Sequence, residues 1–257
     1  ETVDNFGLQG KLPSHPELLD FLSLQFVQSS WSIKTMIRNM VMTETFQRST
    51  LAEGEAKDPD NLYLSRYPVR RLEAEAIRDA VLSASGTLDS TMFGQPVPVH
   101  LTPFMQGRGR PGKSGPIDGN GRRSIYLEVR RNFLDRMMTV FDRPTPFTTF
   151  GRRDVTNVPA QSLFLMNDPF IASEAGKMAG ELLENEALSI EEKLAEAYFR
   201  TFSRPPSDEE LRKGLAFLKA TQSIAANDVE KTEPTDLMVW REYCHALFNM
   251  KSFIYLL

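Results

Sequence analysis

Cysteine is nearly absent: Cys244 is the only one among 257 residues, so no internal disulfide can staple the chain. Histidine is scarce too. His15, His100 and His245 lie far apart, and no pair falls at the spacing of metal ligands, so no zinc or haem-attachment motif is present in the sequence. No apolar run approaches the roughly 18 residues a membrane-spanning helix needs, so no membrane span is expected. Tryptophan is limited to Trp31 and Trp240. The chain opens on Glu1 rather than methionine, and its first eleven residues read as loop; more chain is expected upstream.

Lysine is nearly missing from the middle of the chain. Residues 61–160 carry 15 basic side chains against 9 acidic ones, and 14 of the 15 are arginine. The remainder carries 15 basic and 25 acidic, so an overall charge of −4 hides a basic centre and acidic flanks. The acidic balance, with no reading helix or aromatic stacking motif, argues against nucleic acid. Arginine's planar fork suits bidentate pairing with carboxylate, phosphate or sulfate and tolerates partial burial.

What is abundant is helical signal. Ser14 and Glu17 have capping-box spacing ahead of a stripe of Leu18, Leu19, Leu22 and Phe26. Ser32 precedes a second stripe of Ile33, Met36, Ile37, Met40 and Val41, and the two predict a helical hairpin packed on a core. Residues 49–62 are polar, and Asp58-Pro59-Asp60-Asn61 reads as a turn rather than a calcium loop. A third helix is expected from Pro68 to Ser85, stopping at Gly86. Residues 86–121 are rich in Gly and Pro, with a loop at Gly107 to Lys113; alternation over Ser124 to Val129 predicts a short strand, and a short helix follows near 132–141. Helical patterning resumes after 159. Asp168-Pro169, Ser189 with Glu192, and Ser207 with Glu210 mark helix starts; 223–235 reads as a polar linker, and a last helix carries Leu237, Trp240, Cys244, Leu247 and Phe248 on one face. The expectation is one mainly α domain spanning 1–257, helical over 1–85 and 160–257, with an irregular Gly- and Arg-rich central insertion and a small β element over 86–159.

Candidate chemistry sits in three places. On the third helix Glu73 falls among Val69, Leu72, Ala76, Ile77, Ala80 and Ala84, with Arg70 at the edge of that face; a carboxylate there is either a structural partner of arginine or a site group. Arg71, Glu75, Arg78 and Asp79 form an ion-pair ladder on the opposite side. The doublets Arg122-Arg123, Arg130-Arg131 and Arg152-Arg153, the last followed by Asp154 in an irregular stretch, either meet at an anion or pair with the chain's own glutamates. Cys244 lies on an apolar stripe and reads as core.

Several motifs, taken in order, resemble a known family. They are Asp4-Asn5-Phe6-Gly7, Pro13 to Asp20, Arg70 to Asp79, Arg122 to Tyr126, Phe141-Asp142-Arg143-Pro144, and Arg152 to Thr156 through Gln161, Leu163 and Asn167-Asp168-Pro169. Together they resemble the Planctomycetes-specific C-terminal domain of unknown function found behind cytochrome c modules. The resemblance implies an exported, periplasmic or cell-surface multidomain protein, with haem c and a second uncharacterised domain elsewhere in the parent chain and no cofactor in this part. It supplies no established catalytic residues. Three readings follow. The first is the substrate side of a haem-linked oxidoreductase acting on extracellular carbohydrate, with Glu73 or Asp154 as proton acceptor and Arg70, Arg122, Arg123, Arg152 and Arg153 holding the substrate. The second is an arginine-rich module for anionic, sulfated glycans. The third is an interdomain scaffold.

Overall fold

The computed structural model describes residues 2–5, 7–50, 57–226 and 235–256. Ten α-helices and one two-stranded sheet lie among them, so the protein is mainly α with a small β element. Residues 51–56 and 227–234, covering part of the polar stretch and most of the polar linker read from sequence, lie outside the described residues. The chain divides into two compact units.

The first unit comprises residues 1–71, 150–152 and 255–257. It holds α1 (Pro16–Gln28), α2 (Ile33–Val41) and strand β1 (Arg70–Arg71), which pairs antiparallel with β2 (Tyr255–Leu256). Ser32 caps α2 as expected, its hydroxyl accepting from the Thr35 amide at 3.3 Å. The Ser14–Glu17 capping box does not form: α1 begins after His15 with no side-chain cap, and the Ser14 hydroxyl meets His15 Nδ1 instead. Ser30 and Trp31, both at positive φ, turn the chain between the helices, and the Phe26 and Trp31 rings meet edge to face at 5.2 Å. The hairpin is therefore present, but neither helix contains a buried residue, contrary to the expectation of core packing. Two helices of 13 and 9 residues can cover only the stripes they turn toward each other. The Asp58 turn is as read: its carboxylate accepts from the amides of Leu62 and Tyr63, at 2.8 and 3.0 Å.

The second unit comprises residues 72–149 and 153–254. Its helices are α3 (Ala74–Ala84), α4 (Arg136–Val140), α5 (Pro159–Asn167), α6 (Pro169–Glu184), α7 (Ile190–Phe202), α8 (Asp208–Ala226), α9 (Thr235–Phe248) and α10 (Lys251–Ile254). Ala175 and Ala179 on α6 leave room for α9 to pack closely; Ile171, Met178 and Leu182 join Cys244 and Phe248 of α9, and Ile77, Val81 and Leu82 of α3, in one solvent-free core. Both halves of the Ser189–Glu192 capping box form, as do those of Ser207–Glu210, and Asp168 caps α6 ahead of Pro169. The α8 helix runs to Ala226, so 223–226 is helix rather than linker.

The third helix and the expected strand also differ from their sequence patterns. The third helix starts at Ala74, not near Pro68, because residues 70–71 are taken by the strand pair and Glu73 is extended at the N-cap. The strand expected over 124–129 is absent: Ser124–Tyr126 is a 3-10 turn, followed by an isolated parallel bridge between Leu127 and Val97. Alternation was genuine, but no second strand lies beside it to complete a ladder.

Candidate functional site

Moving the start of α3 changes which residues it buries. Ala74, Ile77, Arg78, Val81, Leu82 and Ala84 face inward. Glu73, expected on the buried face, is 49% exposed, and Arg78, expected on a solvated ladder, is 3% exposed. The helix phase had been set by Val69 and Leu72, which precede the first helical residue.

Arg153 donates to Glu75 through both terminal nitrogens, Nη1 to Oε2 at 2.6 Å and Nη2 to Oε1 at 3.1 Å, and lies 3.4 Å from Glu73. Arg143 stands 3.4 Å from the same Glu75 carboxylate. Partial burial raises the Glu75 pKa, but Arg153 and Arg143 more than offset it, leaving the carboxyl below its ordinary range. Arg122 donates to the Phe93 carbonyl at 2.6 Å, stacks on Tyr126 and faces Asp89 at 3.7 Å. Arg123 is half exposed and 3.7 Å from Asp79; Arg130 pairs with Glu128 at 2.8 Å. The side chains of Arg70, Arg152 and Asp154 are exposed, with no hydrogen bond or ion pair among the described residues. Arg122, Arg123 and Arg153 thus face Asp89, Asp79 and Glu75 respectively, three different carboxylates of their own chain, and are not directed at a shared anion.

The most buried arginine among the described residues is Arg78. It donates to the carbonyls of Arg122 (2.8 Å) and Asp118 (2.6 Å) and to the Ser124 hydroxyl (3.1 Å), with the Phe170 ring 5.6 Å away. Burial lowers its pKa, opposed chiefly by Asp135 and Asp79. Gly119, at φ +60°, allows the close approach: a Cβ there would stand 2.4 Å from Arg78 Nη2. Beside Arg78 lies a cavity of about 20 Å³, lined also by His100, Asp135, Arg136 and Asp168. Asp168 accepts from the Phe170 amide (3.0 Å) and from Arg136 (2.9 Å), yet burial keeps its pKa raised. His100 Nδ1 sits 3.0 Å from the Gly115 carbonyl; a carbonyl only accepts, so Nδ1 carries the hydrogen. The space suits a water molecule, not a sugar. No sequence motif singles out Asp135, His100 is set aside there as a metal ligand, and Asp168 reads as a helix cap, which it also is. No group of three His, Cys, Asp or Glu among the described residues is placed to hold a metal ion. Glu174, also missed, is fully buried and accepts from Ser85 and Thr87 (both 2.6 Å) and Lys177 (2.7 Å). Burial pushes the Cys244 thiol up to about 12, in keeping with a core residue.

Larger concavities lie elsewhere among the described residues. A shallow groove of about 830 Å³ between α6 and α9 is lined by Met166, Ser173, Lys177, Arg241 and His245; its cations already hold carboxylates, Lys177 those of Glu174 and Asp118 and Arg241 that of Glu242. The other lies on the hairpin, about 300 Å³ between Leu22, Phe26, Ile33, Met36, Ile37 and Met40. Along the hairpin Leu18, Leu19, Phe21, Leu24, Val27, Trp31, Ile33, Ile37, Met40 and Met42 are each 41–70% exposed. An isolated surface leucine needs no explanation, but ten large apolar side chains on 25 consecutive residues do.

The described residues therefore form a mainly helical fold in which Arg122, Arg123 and Arg153 face carboxylates of their own chain and the α1–α2 hairpin exposes large apolar side chains. The model of the PSD1 family, described as a protein of unknown function (DUF1553), matches residues 1–218, and the chain belongs to that family. No curated protein and no solved structure matches it.

Proposed function

We propose that the chain is an assembly module, which uses the α1–α2 hairpin to dock against protein. The observation that carries this is the hairpin itself: 22 helical residues with none buried, α1 being apolar on almost every side. A helix that is apolar all round belongs inside a protein rather than in water. The arginine network supports the same reading, because guanidinium groups that already face carboxylates of their own chain act as internal ties. The setting proposed is the one the resemblance implies, an exported multidomain protein with a cytochrome c module elsewhere. A haem-linked oxidoreductase or a sulfated-glycan module would need Glu73, Asp154 and the arginines to act together at one site; that Arg122, Arg123 and Arg153 face three different carboxylates of the chain favours the scaffold reading over both.

Acrylamide quenching of tryptophan fluorescence tests the proposal. Trp240 is 6% exposed and Trp31 66%, so fast quenching reports on the hairpin. In dilute solution Trp31 is expected to quench freely and the chain to bind an apolar dye; on assembly both signals should fall. A hairpin shielded in the dilute monomer would end the proposal.

A further inference from the structure

Residues 102–113 form a loop that is closed at its base and carries charge of one sign. Its ends meet where the Leu101 amide donates to the Ser114 hydroxyl and the Gly115 amide to the Val99 carbonyl, both at 2.9 Å. Gly115 permits that closure: a Cβ there would stand 1.8 Å from the Pro98 carbonyl oxygen. Met105 packs the loop onto Val99, Leu101 and Phe133, a small apolar cluster of its own. Paired ends and an internal anchor are the build of an Ω-loop. Beyond the anchor the loop is open. Phe104 is 92% exposed, Arg108, Arg110 and Lys113 are exposed, and a Cβ on Gly107, Gly109 or Gly112 would meet nothing within 4 Å. None of the three cations has an ion pair among the described residues; Arg110 donates through Nε to the Met105 carbonyl at 2.7 Å, which holds its guanidinium one residue from Phe104. No acid occurs in the sequence between Asp89 and Asp118. Beside the base of the loop, Glu128 is taken by Arg130, and Asp135 accepts from the Met138 amide.

We propose that this loop is a contact for a membrane surface: Phe104 enters the interface of a bilayer carrying anionic phospholipid, and Arg108, Arg110 and Lys113 lie over the phosphates. The inference concerns the second unit and does not rest on the hairpin. The cations call for phosphate or carboxylate, which many acidic partners offer. A ring left almost wholly in water calls for an apolar phase as well, and an acidic polysaccharide bound by the cations would leave it in water. A bilayer interface supplies both: aromatic rings settle at the level of the headgroups, and anionic lipid attracts Lys and Arg to the same surface. A protruding tip fits a flat target, and none of the concavities described above is lined by residues 102–113. The Met105 anchor and the closed base hold the tip in place, so little chain must be ordered on binding. A single apolar anchor binds a bilayer only marginally; the basic residues beside it are the second signal that makes the contact hold.

Flotation of the 257-residue chain with lipid vesicles reads the result, with circular dichroism as the folding control. The vesicles are phosphatidylcholine alone, or phosphatidylcholine with about one third phosphatidylglycerol. The chain is expected to float with the anionic vesicles only, and less so as salt is raised. Arg108→Gln, Arg110→Gln and Lys113→Gln should each lower the partition constant roughly three- to fivefold, and the three together on the order of a hundredfold. Phe104→Ser, at a ring that supports no packing, should keep the fold and lower it about tenfold. Phe104→Trp should keep binding and add emission that brominated acyl chains quench. Binding that is equal on neutral vesicles, or unchanged by the triple substitution, belongs to another surface such as the α1–α2 hairpin and overturns the inference. So does a chain that floats with neither vesicle. Binding that needs the three cations but is indifferent to Phe104→Ser, with the Phe104→Trp emission unquenched, makes the loop a site for polyanions in general and overturns the membrane contact.

Discussion

Arg153 and Glu75 lie 78 residues apart in sequence and face each other fork to fork, at 2.6 and 3.1 Å. The pair ties the irregular segment after Gly151 to the first turn of α3. The Glu75 carboxyl is held below its ordinary range, so folding binds fewer protons there than the unfolded chain does. The stability it contributes is complete above the ordinary glutamate pKa and is lost as pH falls through the lower folded value. Glu75→Gln should therefore cost about 1 kcal/mol at pH 7 by urea denaturation, and the gap to wild type should close in acid. A gap independent of pH would contradict the ion pair. Arg153→Gln should cost a similar amount.

Arg78 is expected to be among the least replaceable polar residues of the second unit. Its guanidinium satisfies three oxygens of the 118–124 segment at once, in a place almost closed to water. Arg78→Ala strands those acceptors and should cost about 3–5 kcal/mol. Arg78→Lys should recover little, because an ammonium cannot span the same spread of acceptors. Gly119→Ala forces a Cβ onto Nη2 at a positive φ and should be destabilising in its own right. Urea midpoints for the three variants check the order; a stable Arg78→Ala protein would show that the segment folds without its anchor.

Glu174 and Lys177 form a second coupled pair, one fully buried and the other 39% exposed. Removing the cation alone leaves a buried carboxylate held only by the Ser85 and Thr87 hydroxyls. Lys177→Met should therefore cost about 2–3 kcal/mol, more than an exposed lysine warrants, and adding Glu174→Gln should recover part of the loss. A double-mutant cycle is expected to give a coupling of about 1–2 kcal/mol. Simple additivity would mean the two do not interact.

How far the sequence revealed this fold depended on the range of each signal. Ser189 with Glu192, Ser207 with Glu210 and Asp168 with Pro169 mark helix starts because the bonds they make lie within three residues. The pattern puts the buried face of α3 about a third of a turn from where it lies, because Val69 and Leu72 look helical until the strand partner, Tyr255–Leu256, is known. That partner lies 184–186 residues away. Arg78 and Glu174 were hidden for the same reason: nothing near them in sequence says that distant oxygens will gather around one or that hydroxyls of the α3 exit will reach the other. The apolar hairpin was legible as helices, but its lack of cover was not, because periodicity reports which side is apolar and not what lies against it.

Asp168 has the opposite electrostatics to Glu75. Burial, reinforced by Asp135, raises its carboxyl above the ordinary range despite the Phe170 amide, Arg136 and His100. The native state therefore keeps a proton that the unfolded chain has given up. The contribution of this group is most favourable in acid and declines as pH rises from the ordinary aspartate value through the folded one. Asp168→Asn removes the charge and keeps an equally good N-cap for α6. Its other loss, the bond to Arg136, is small because that arginine is 45% exposed. The Tm of the variant relative to wild type should accordingly climb between about pH 4 and pH 7, a window that starts at the ordinary aspartate value. A difference that stays flat or falls over that range would mean the carboxylate is fully compensated where it lies, and that the cavity beside Arg78 is wetter than its volume suggests.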